Sequence, residues 1–476
     1  MRQALPLAIL VLAVCCGAQD AALSYHLQYR AAGESSVHVR IDFSPPLAGP
    51  AVFIVPRNYP GGYALVLYDS FVEQPRALSP KAESLTMSKQ SQGPRWLVGE
   101  EGQTISRIEY DVNIDRMEHE LPEAIDSSKV RPRYLGLLGY SVFGYIDGLE
   151  GRAIELHVDS PPEWPVLSTL APATSPTGSI TARAANYYAL ADSQILMGPD
   201  LQVRRRPGKI PLVMAVYAEG DADINLEADL AREALDNVQS YFGTAPFQQY
   251  TAQLELLRPL AGHTYGFSQE HLDSGTFTLT VPQAIRRDSS DRERKMTLFN
   301  YAHHIAHCWI PKRAYGEGYL PFNWELPPVI DTIWFNEGFG RYAAIEAVAD
   351  AMPPEEGAAS RRRQLEILRK TLADAPPFIR HMPLLVLSRE ASFMYSVDFR
   401  IGQNVFARGA LMAAEIDDRI RERTHGQKSL RDALRYLLAR NEKSAQAFKT
   451  EELARLISEG TGVNVEDIFA RWMAAP

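Results

Sequence analysis

Residues 300–313 read NYAHHIAHCWIPKR, and the interpretation of the whole chain depends on this stretch. His303 and His307 are four positions apart, so their side chains share one face if the segment is helical. Two imidazoles in that arrangement can bind a single metal ion. The same pair would also fit two histidines on a partly exposed helix, so the remaining sequence has to decide between these readings.

A carboxylate that could complete a metal site follows in residues 334–339, which read WFNEGF. Glu337 lies 30 positions after His307 (337 − 307) and falls in a second predicted helix, over residues 331–352. A catalytic zinc site has three protein ligands and leaves a fourth position open for water. The predicted ligands of one Zn²⁺ ion are therefore His303, His307 and Glu337.

Both segments resemble peptidase family M61, the glycyl aminopeptidase-like gluzincin metallopeptidases, whose pattern is HExxHxWNxKR followed by WxxEGxxxYY. Residues 265–271, YGFSQEH, look like the glycine-led strand of that family, which ends in Glu-His. Residues 56–63, PRNYPGGY, and 186–193, NYYALADS, are similar to its N-terminal signatures, and residues 403–430 are similar to a C-terminal one. The resemblance covers nearly the whole mature chain.

The resemblance and the hydrophobic pattern together predict a multidomain α+β protein. Residues 19–212, which alternate apolar and polar positions, are expected to form an N-terminal β-sandwich. Residues 213–352 are expected to form a thermolysin-like zincin catalytic domain, and residues 353–476 a C-terminal helical region. Proline-rich breaks such as Ser44-Pro45-Pro46 are predicted to be turns between consecutive strands.

The family resemblance also implies an aminopeptidase-type site. Glu270 inherits the role of the glutamate that holds the free α-amino group of the substrate. The expected partners are accordingly peptides or protein N-termini. His271, Cys308 and the Lys312-Arg313 pair are predicted to be structural residues, which hydrogen-bond, pack or form an internal ion pair, respectively.

Two positions depart from the family pattern. His304 stands where an active member has the glutamate that takes a proton from the zinc-bound water. Phe406 stands where a tyrosine would donate to the oxyanion of the tetrahedral intermediate. Tyr395 lies only a little earlier in the chain and is an alternative source of that hydroxyl.

These departures leave two hypotheses. The leading one is a zinc-binding M61-like homologue, a pseudoenzyme with impaired amide hydrolysis that binds peptide N-termini. The alternative is an active zinc aminopeptidase that releases small N-terminal residues, with His304 or a neighbouring residue as a non-standard general base.

The N-terminus and the composition indicate where the protein works. Residues 1–18 combine Arg2, an apolar stretch and small residues, as a secretory signal peptide does, so the protein is expected to be periplasmic or secreted. Lipidation at Cys15 or Cys16 is a less favoured alternative, because Val14 precedes the first cysteine. The net charge of −9 argues against nucleic acid as a partner, and no later stretch predicts a membrane span.

Overall fold

The computed structural model describes residues 22–121, 125–171, 175, 178–260 and 264–474. The predicted signal peptide at residues 1–18, including Cys15 and Cys16, lies outside the described residues. The first part of the described chain is rich in β-strands, and the last part is helical. This arrangement confirms the predicted α+β class with N-terminal β-sheets and a C-terminal helical region.

Among the described residues, fifteen strands and three short helices form the N-terminal part. The strands are β1 (Ala22–Gln28), β2 (Ser36–Ala48), β3 (Ala51–Ile54), β4 (Val72–Leu78), β5 (Ser84–Leu85), β6 (Met87–Lys89), β7 (Arg95–Val98), β8 (Thr104–Asn113), β9 (Lys129–Arg131), β10 (Tyr134–Leu138), β11 (Tyr145–Ile146), β12 (Ile154–Asp159), β13 (Val166–Ser168), β14 (Ser179–Ala184) and β15 (Gln194–Met197). The helices are α1 (Ile114–Glu120), α2 (Gly139–Val142) and α3 (Tyr187–Ala191), and a 3₁₀ turn covers Tyr68–Phe71.

These strands form three sheets around one apolar core. The largest has the order β14-β12-β1-β2-β8-β4-β5, and the others are β13-β15-β10-β9 and β11-β3-β7-β6. In β2, Val37, Val39 and Ile41 are buried while the residues between them are partly exposed. Because successive side chains of a strand point to opposite faces, this alternation places one face of the sheet in the core.

The predicted turn at Ser44-Pro45-Pro46 is wrong. β2 continues through these residues and still pairs with β8 beyond them. The register shifts between Asp42 and Leu47, so the prolines lie in a bulge. A bulge tolerates proline because its residues are not required to donate to the strand ladder.

A fourth, mixed sheet follows. Its strands are β16 (Gln202–Arg206), β17 (Leu212–Ala218), β18 (Tyr250–Leu257), β19 (Gly266–Glu270) and β20 (Ser274–Thr280). They have the order β16-β17-β18-β20-β19, with a parallel centre and antiparallel edges. β16 precedes the predicted domain boundary at residue 212 and pairs with β17 after it. The domain boundaries at residues 212 and 352 stay predictions.

Ten helices of the described residues accompany and follow this sheet. They are α4 (Ile224–Phe242), α5 (Asp291–His307), α6 (Gly340–Asp350), α7 (Pro354–Asp374), α8 (Pro377–Arg380), α9 (Leu384–Met394), α10 (Phe399–Arg423), α11 (Leu430–Ser444), α12 (Leu453–Thr461) and α13 (Glu466–Met473). A π-helical turn, Trp334–Phe339, leads into α6, and 3₁₀ turns cover Val281–Gln283 and Thr450–Glu452. Among the described residues, none of the helices combines the length and apolarity needed to cross a bilayer.

Candidate metal centre

The histidine pair lies at the C-terminal end of α5. The helix begins with a capping box, in which the Ser290 hydroxyl accepts from the Glu293 amide and the Glu293 carboxylate accepts from the Ser290 amide. His303 and His307 lie one turn apart, and both are buried, with 5% and 1% of their surface exposed. The i, i+4 spacing therefore brings the two imidazoles together, as the sequence predicted.

Glu337 lies in the π-helical turn Trp334–Phe339, which crosses α10 at very short range. A Cβ added to Gly338 would collide with Gly409, and a Cβ added to Gly409 would collide with the carbonyl of Trp334. Only two glycines allow the backbones to approach this closely. The glycines of two separate sequence motifs thus fix the position of Glu337. The π-helical turn is itself a feature that is frequent at functional sites.

The three predicted ligands converge. Their ligand atoms all lie within 4.8 Å of one another. His303 Nε2 lies 3.4 Å from His307 Nε2, and His307 Nε2 lies 3.3 Å from Glu337 Oε2. Two zinc bonds of about 2.05 Å at the tetrahedral angle place two ligand atoms about 3.3 Å apart. The side chains therefore fit a zinc ion, although their role as ligands stays a prediction.

The tautomer of His307 is suited to metal binding. Its Nδ1 lies 2.9 Å from the carbonyl oxygen of Ile310, which only accepts, so Nδ1 carries the proton. The neutral ring then presents a free lone pair on Nε2 toward the site, as in other metal-binding histidines. Burial lowers the pKa of His307, but the carboxylates of Glu337 and Glu270 outweigh this and raise it to about 9. The site thus attracts a positive charge, whether a proton or a cation.

Glu270 ends β19 and is covered by a turn of the N-terminal part. Gln269 Nε2 donates to the Pro60 carbonyl at 3.0 Å, and a Cβ at Gly61 would collide with the Glu270 carboxylate. Burial raises the pKa of Glu270, but His307, His304 and Lys312 lower it more, to about 2. Its Oε1 atom is buried without a hydrogen-bond partner among the described residues. The result is an ionised carboxylate with a free acceptor atom.

His304 faces this carboxylate. Its Nδ1 atom lies 3.7 Å from Glu270 Oε2, beyond hydrogen-bonding distance, and has no hydrogen-bond partner in the part of the chain that is described. Its ring packs edge-on against Phe277, with 5.5 Å between the ring centroids. Burial lowers the pKa of His304 despite the opposing effect of Glu270. The neutral imidazole is therefore the favoured form at neutral pH.

Phe406 lies on the other side of the histidine pair. Its ring centroid is 5.4 Å from that of His303, so a hydroxyl on this ring would lie close to the candidate metal ligands. Tyr395, the alternative hydroxyl, packs against Phe406 at 5.7 Å and against Tyr63 at 5.2 Å. The structure thus places both candidate positions in the wall of the site.

Two further residues of this wall, Tyr63 and Asn336, have no role predicted from the sequence. Tyr63 comes from the N-terminal part, and its hydroxyl accepts from Asn336 Nδ2 at 3.3 Å. Burial and the carboxylates of Glu337 and Glu270 raise the pKa of Tyr63 well above its usual value. Its φ of 45° is in the left-handed region, which is uncommon for a bulky residue and concentrates at functional sites. The signal for Tyr63 was its position at the end of the PRNYPGGY motif.

A buried polar network lies next to the site. Asp192 accepts from Lys312 Nζ at 3.4 Å and lies 3.0 Å from His271 Nδ1. Cys308 is fully buried, donates to the His271 carbonyl at 3.3 Å, and has its pKa raised by burial. These contacts confirm the structural roles predicted for His271, Lys312 and Cys308. Arg313 differs from the prediction, because among the described residues it donates to the carbonyls of Leu272 and Cys308 and forms no ion pair within 4.0 Å. They also join the NYYALADS motif to the two site motifs.

Asp273, at the edge of this network, provides a test of its electrostatics. Burial and the neighbouring Asp192 raise the pKa of Asp273 to about 6, above the value of about 3.9 for an unfolded chain. Ionisation of Asp273 therefore lowers the free energy of unfolding as the pH rises from about 4 to above 6. We expect Asp273→Asn to raise the free energy of unfolding by up to about 2 kcal/mol at pH 8 and to have little effect near pH 4. Denaturant unfolding at both pH values measures this; equal changes at both would contradict it.

Comparison with known proteins identifies the N-terminal part. Residues 24–199 match the family model of the peptidase M61 N-terminal domain. This part of the chain is an M61-type N-terminal domain. None of the curated proteins matches it.

Solved structures share the fold of this chain. An aminopeptidase N family protein from Idiomarina loihiensis superposes with a TM-score of 0.80 at 17% identity, covering 95% of this chain and 76% of its own. A mutant M1 zinc metallopeptidase from Deinococcus radiodurans, solved with a Tyr-Ser-Ala substrate, gives a TM-score of 0.55 at 14% identity, covering 96% and 95%. At these identities, the likeness to this chain is one of fold.

Proposed function

We propose that this chain is a zinc-binding, M61-type protein with an aminopeptidase-like site, which binds the N-termini of peptides and hydrolyses amides weakly or not at all. The observation that carries the proposal is the geometry around α5. His303, His307 and Glu337 offer one ligand atom each within 4.8 Å, whereas the general-base position between the two histidines is occupied by His304. The site therefore retains a metal-binding set without the usual base.

The proposal extends to the architecture around the site. The mixed sheet, together with α4, α5 and α6, forms a thermolysin-like zincin catalytic unit, and the N-terminal sheets form its β-sandwich partner. Support comes from the placement of the ligands on α5 and on the turn that leads into α6, and from the zinc metallopeptidase of Deinococcus radiodurans that shares the fold. A zinc-bound crystal structure with different ligands would contradict this assignment.

His303, His307 and Glu337 would hold the ion. A zinc ion bound there polarises a carbonyl and activates water. Within the protein, Glu270 binds the ammonium group of the peptide, because its carboxylate is ionised and its Oε1 atom is buried without a partner among the described residues. The neutral ring of His304 lies beside this carboxylate, with Nδ1 3.7 Å from Glu270 Oε2. An ammonium group has three donors, so it can bond to the free oxygen of Glu270 and keep donors for other acceptors.

Two features account for weak hydrolysis. A glutamate base carries a negative charge that draws a proton, whereas His304 is neutral and its pKa is lowered by burial. At the second position Phe406 has no hydroxyl to stabilise a developing oxyanion, and loss of one such donor costs about 3 kcal/mol of transition-state stabilisation. The site therefore favours binding over turnover.

The alternative, an active aminopeptidase, has one observation in its favour. Glu270 lies near His304 Nδ1, and a carboxylate beside an imidazole can orient it as a base. Measurement of chelator-sensitive hydrolysis by the unmodified protein distinguishes the two functions.

Glu270→Gln tests the amine-binding role. We expect this variant to bind a short peptide with a free N-terminus at least about tenfold more weakly than the unmodified protein, because a charged hydrogen bond contributes about 1.5–3 kcal/mol. Binding of the same peptide with an acetylated N-terminus should be weak in both proteins and unchanged by the substitution. Isothermal titration calorimetry on zinc-loaded protein measures both, and equal affinity for the free and acetylated peptides would contradict the role.

We also propose that the protein is exported, with cleavage after Ala18. The proposal rests on the apolar N-terminal stretch and on the small residues that precede Gln19. Mass spectrometry of the N-terminus of the protein recovered from the producing cells tests it. An intact N-terminus on cytoplasmic protein would contradict it.

A further inference from the structure

Arg341, at the start of α6, forms no close ion pair with the described residues, and the carboxylate of Glu337 acts on it only from beyond ion-pair distance. No carboxylate oxygen lies within 4.0 Å of it among the described residues, and its Nε atom is buried without a hydrogen-bond partner there. Its guanidinium carbon lies 5.0 Å from the ring centroid of Phe299 and 5.6 Å from that of Phe406. The group is thus held between two aromatic rings rather than by an acid.

These two rings flank the candidate metal ligands. The ring of Phe299 is parallel to that of His303 at 6.5 Å, and the ring of Phe406 lies 5.4 Å from it. Arg341 therefore stands on the His303 side of the site. Glu270 stands on the His304 side, 3.7 Å from that imidazole. The site accordingly presents a carboxylate next to His304 and a guanidinium next to the two rings that pack against His303.

Other part-buried arginines of the chain differ from Arg341. Arg131 pairs with Glu118 at 2.7 Å and with Glu219 at 2.6 Å, and Arg361 pairs with Glu346 at 2.6 Å. Arg408 instead donates to backbone carbonyls, including that of Ile379 at 3.0 Å. A partly buried charge that lacks such partners destabilises the fold, because its lost hydration is not replaced. Arg341 has the environment of a group whose partner arrives with a ligand.

We propose that Arg341 binds the C-terminal carboxylate of a short ligand whose amino group is held by Glu270, so that the site selects zwitterionic amino acids or short peptides. This inference rests on the proposed peptide-binding function and names its ligand class. The planar guanidinium presents paired N–H donors that match a carboxylate, and the flanking rings limit competition from water. Opposite charges at the two ends would also orient the ligand across the metal ligands.

Calorimetric titration of the full-length mature protein with matched ligands tests the inference, in metal-free and zinc-loaded forms. The probes are Gly-Gly, its C-terminal amide, and Gly-Asp amide, whose carboxylate is on the side chain. We expect the unmodified protein to bind Gly-Gly at least about tenfold more tightly than the amide. Arg341→Met should abolish this preference, and Arg341→Lys should retain part of it. Arg362→Met, which removes an exposed arginine of α7, should leave it unchanged.

The outcomes separate this inference from the function on which it rests. Equal affinity for Gly-Gly and its amide, together with rejection of N-acetylated peptide, would overturn the role of Arg341 and leave the peptide-binding function intact. A preference for Gly-Asp amide that depends on Arg341, without a preference for Gly-Gly, would overturn the assignment to the C-terminal carboxylate. Failure of every peptide to bind would overturn both. Thermal unfolding of each variant verifies that the substitution leaves the fold intact.

Discussion

The double variant His304→Glu, Phe406→Tyr is expected to hydrolyse N-terminal aminoacyl amides at least about a hundredfold faster than the unmodified protein. The glutamate restores an anionic base between the two histidines, and the tyrosine restores a hydroxyl beside His303, whose ring lies 5.4 Å from that of Phe406. A general base contributes about 10²–10⁴-fold and one oxyanion donor about 10²–10³-fold, although the two effects need not add. Initial rates on fluorogenic glycyl and alanyl amides, with and without chelator, measure the gain.

Two further variants test which of the substituted side chains causes this gain in rate. His304→Gln, which has the shape but not the charge of glutamate, should give no gain. Tyr395→Phe in the double variant should leave the rate unchanged if the hydroxyl at position 406 acts, because Tyr395 packs next to that ring. A double variant that binds zinc and peptide but gains no turnover would contradict the explanation based on these two positions.

Removal of one candidate ligand is expected to have the second large effect. We predict that His307→Ala lowers zinc affinity at least about a hundredfold, because even loss of a residue that only orients a ligand costs 10–100-fold. His304→Ala is the matched control, since His304 is adjacent in sequence but does not belong to the converging set. Zinc content per chain after dialysis against a weak chelator measures both. Equal zinc retention by the two variants would contradict the assignment of the ligands.

The sequence predicted the site best where the chemistry depends on local geometry. The i, i+4 spacing on α5 was enough to bring His303 and His307 together. Glu337 was predicted from its spacing in a motif, and the structure places it 3.3 Å from His307. The N-terminal alternation of apolar residues likewise indicated strands with one buried face, as β2 has.

The sequence was less informative where distant segments meet. Proline normally interrupts a strand, but β2 passes through Pro45 and Pro46 because a bulge releases them from the ladder. The contact of Gly61 with Glu270 joins residues far apart in the chain, so no local periodicity reports it. The same holds for Arg341, whose Nε atom is buried without a hydrogen-bond partner among the described residues, because this becomes visible only when its neighbours are placed.

The most direct test of the account is the hydrolysis of a panel of aminoacyl fluorogenic amides by the unmodified mature protein, with zinc content measured on the same sample. The account predicts one zinc ion per chain and no turnover that a chelator abolishes, while the His304→Glu, Phe406→Tyr variant is active under the same conditions. Chelator-sensitive turnover by the unmodified protein at a rate comparable to that of the variant would contradict it, and would establish an aminopeptidase with a non-standard base.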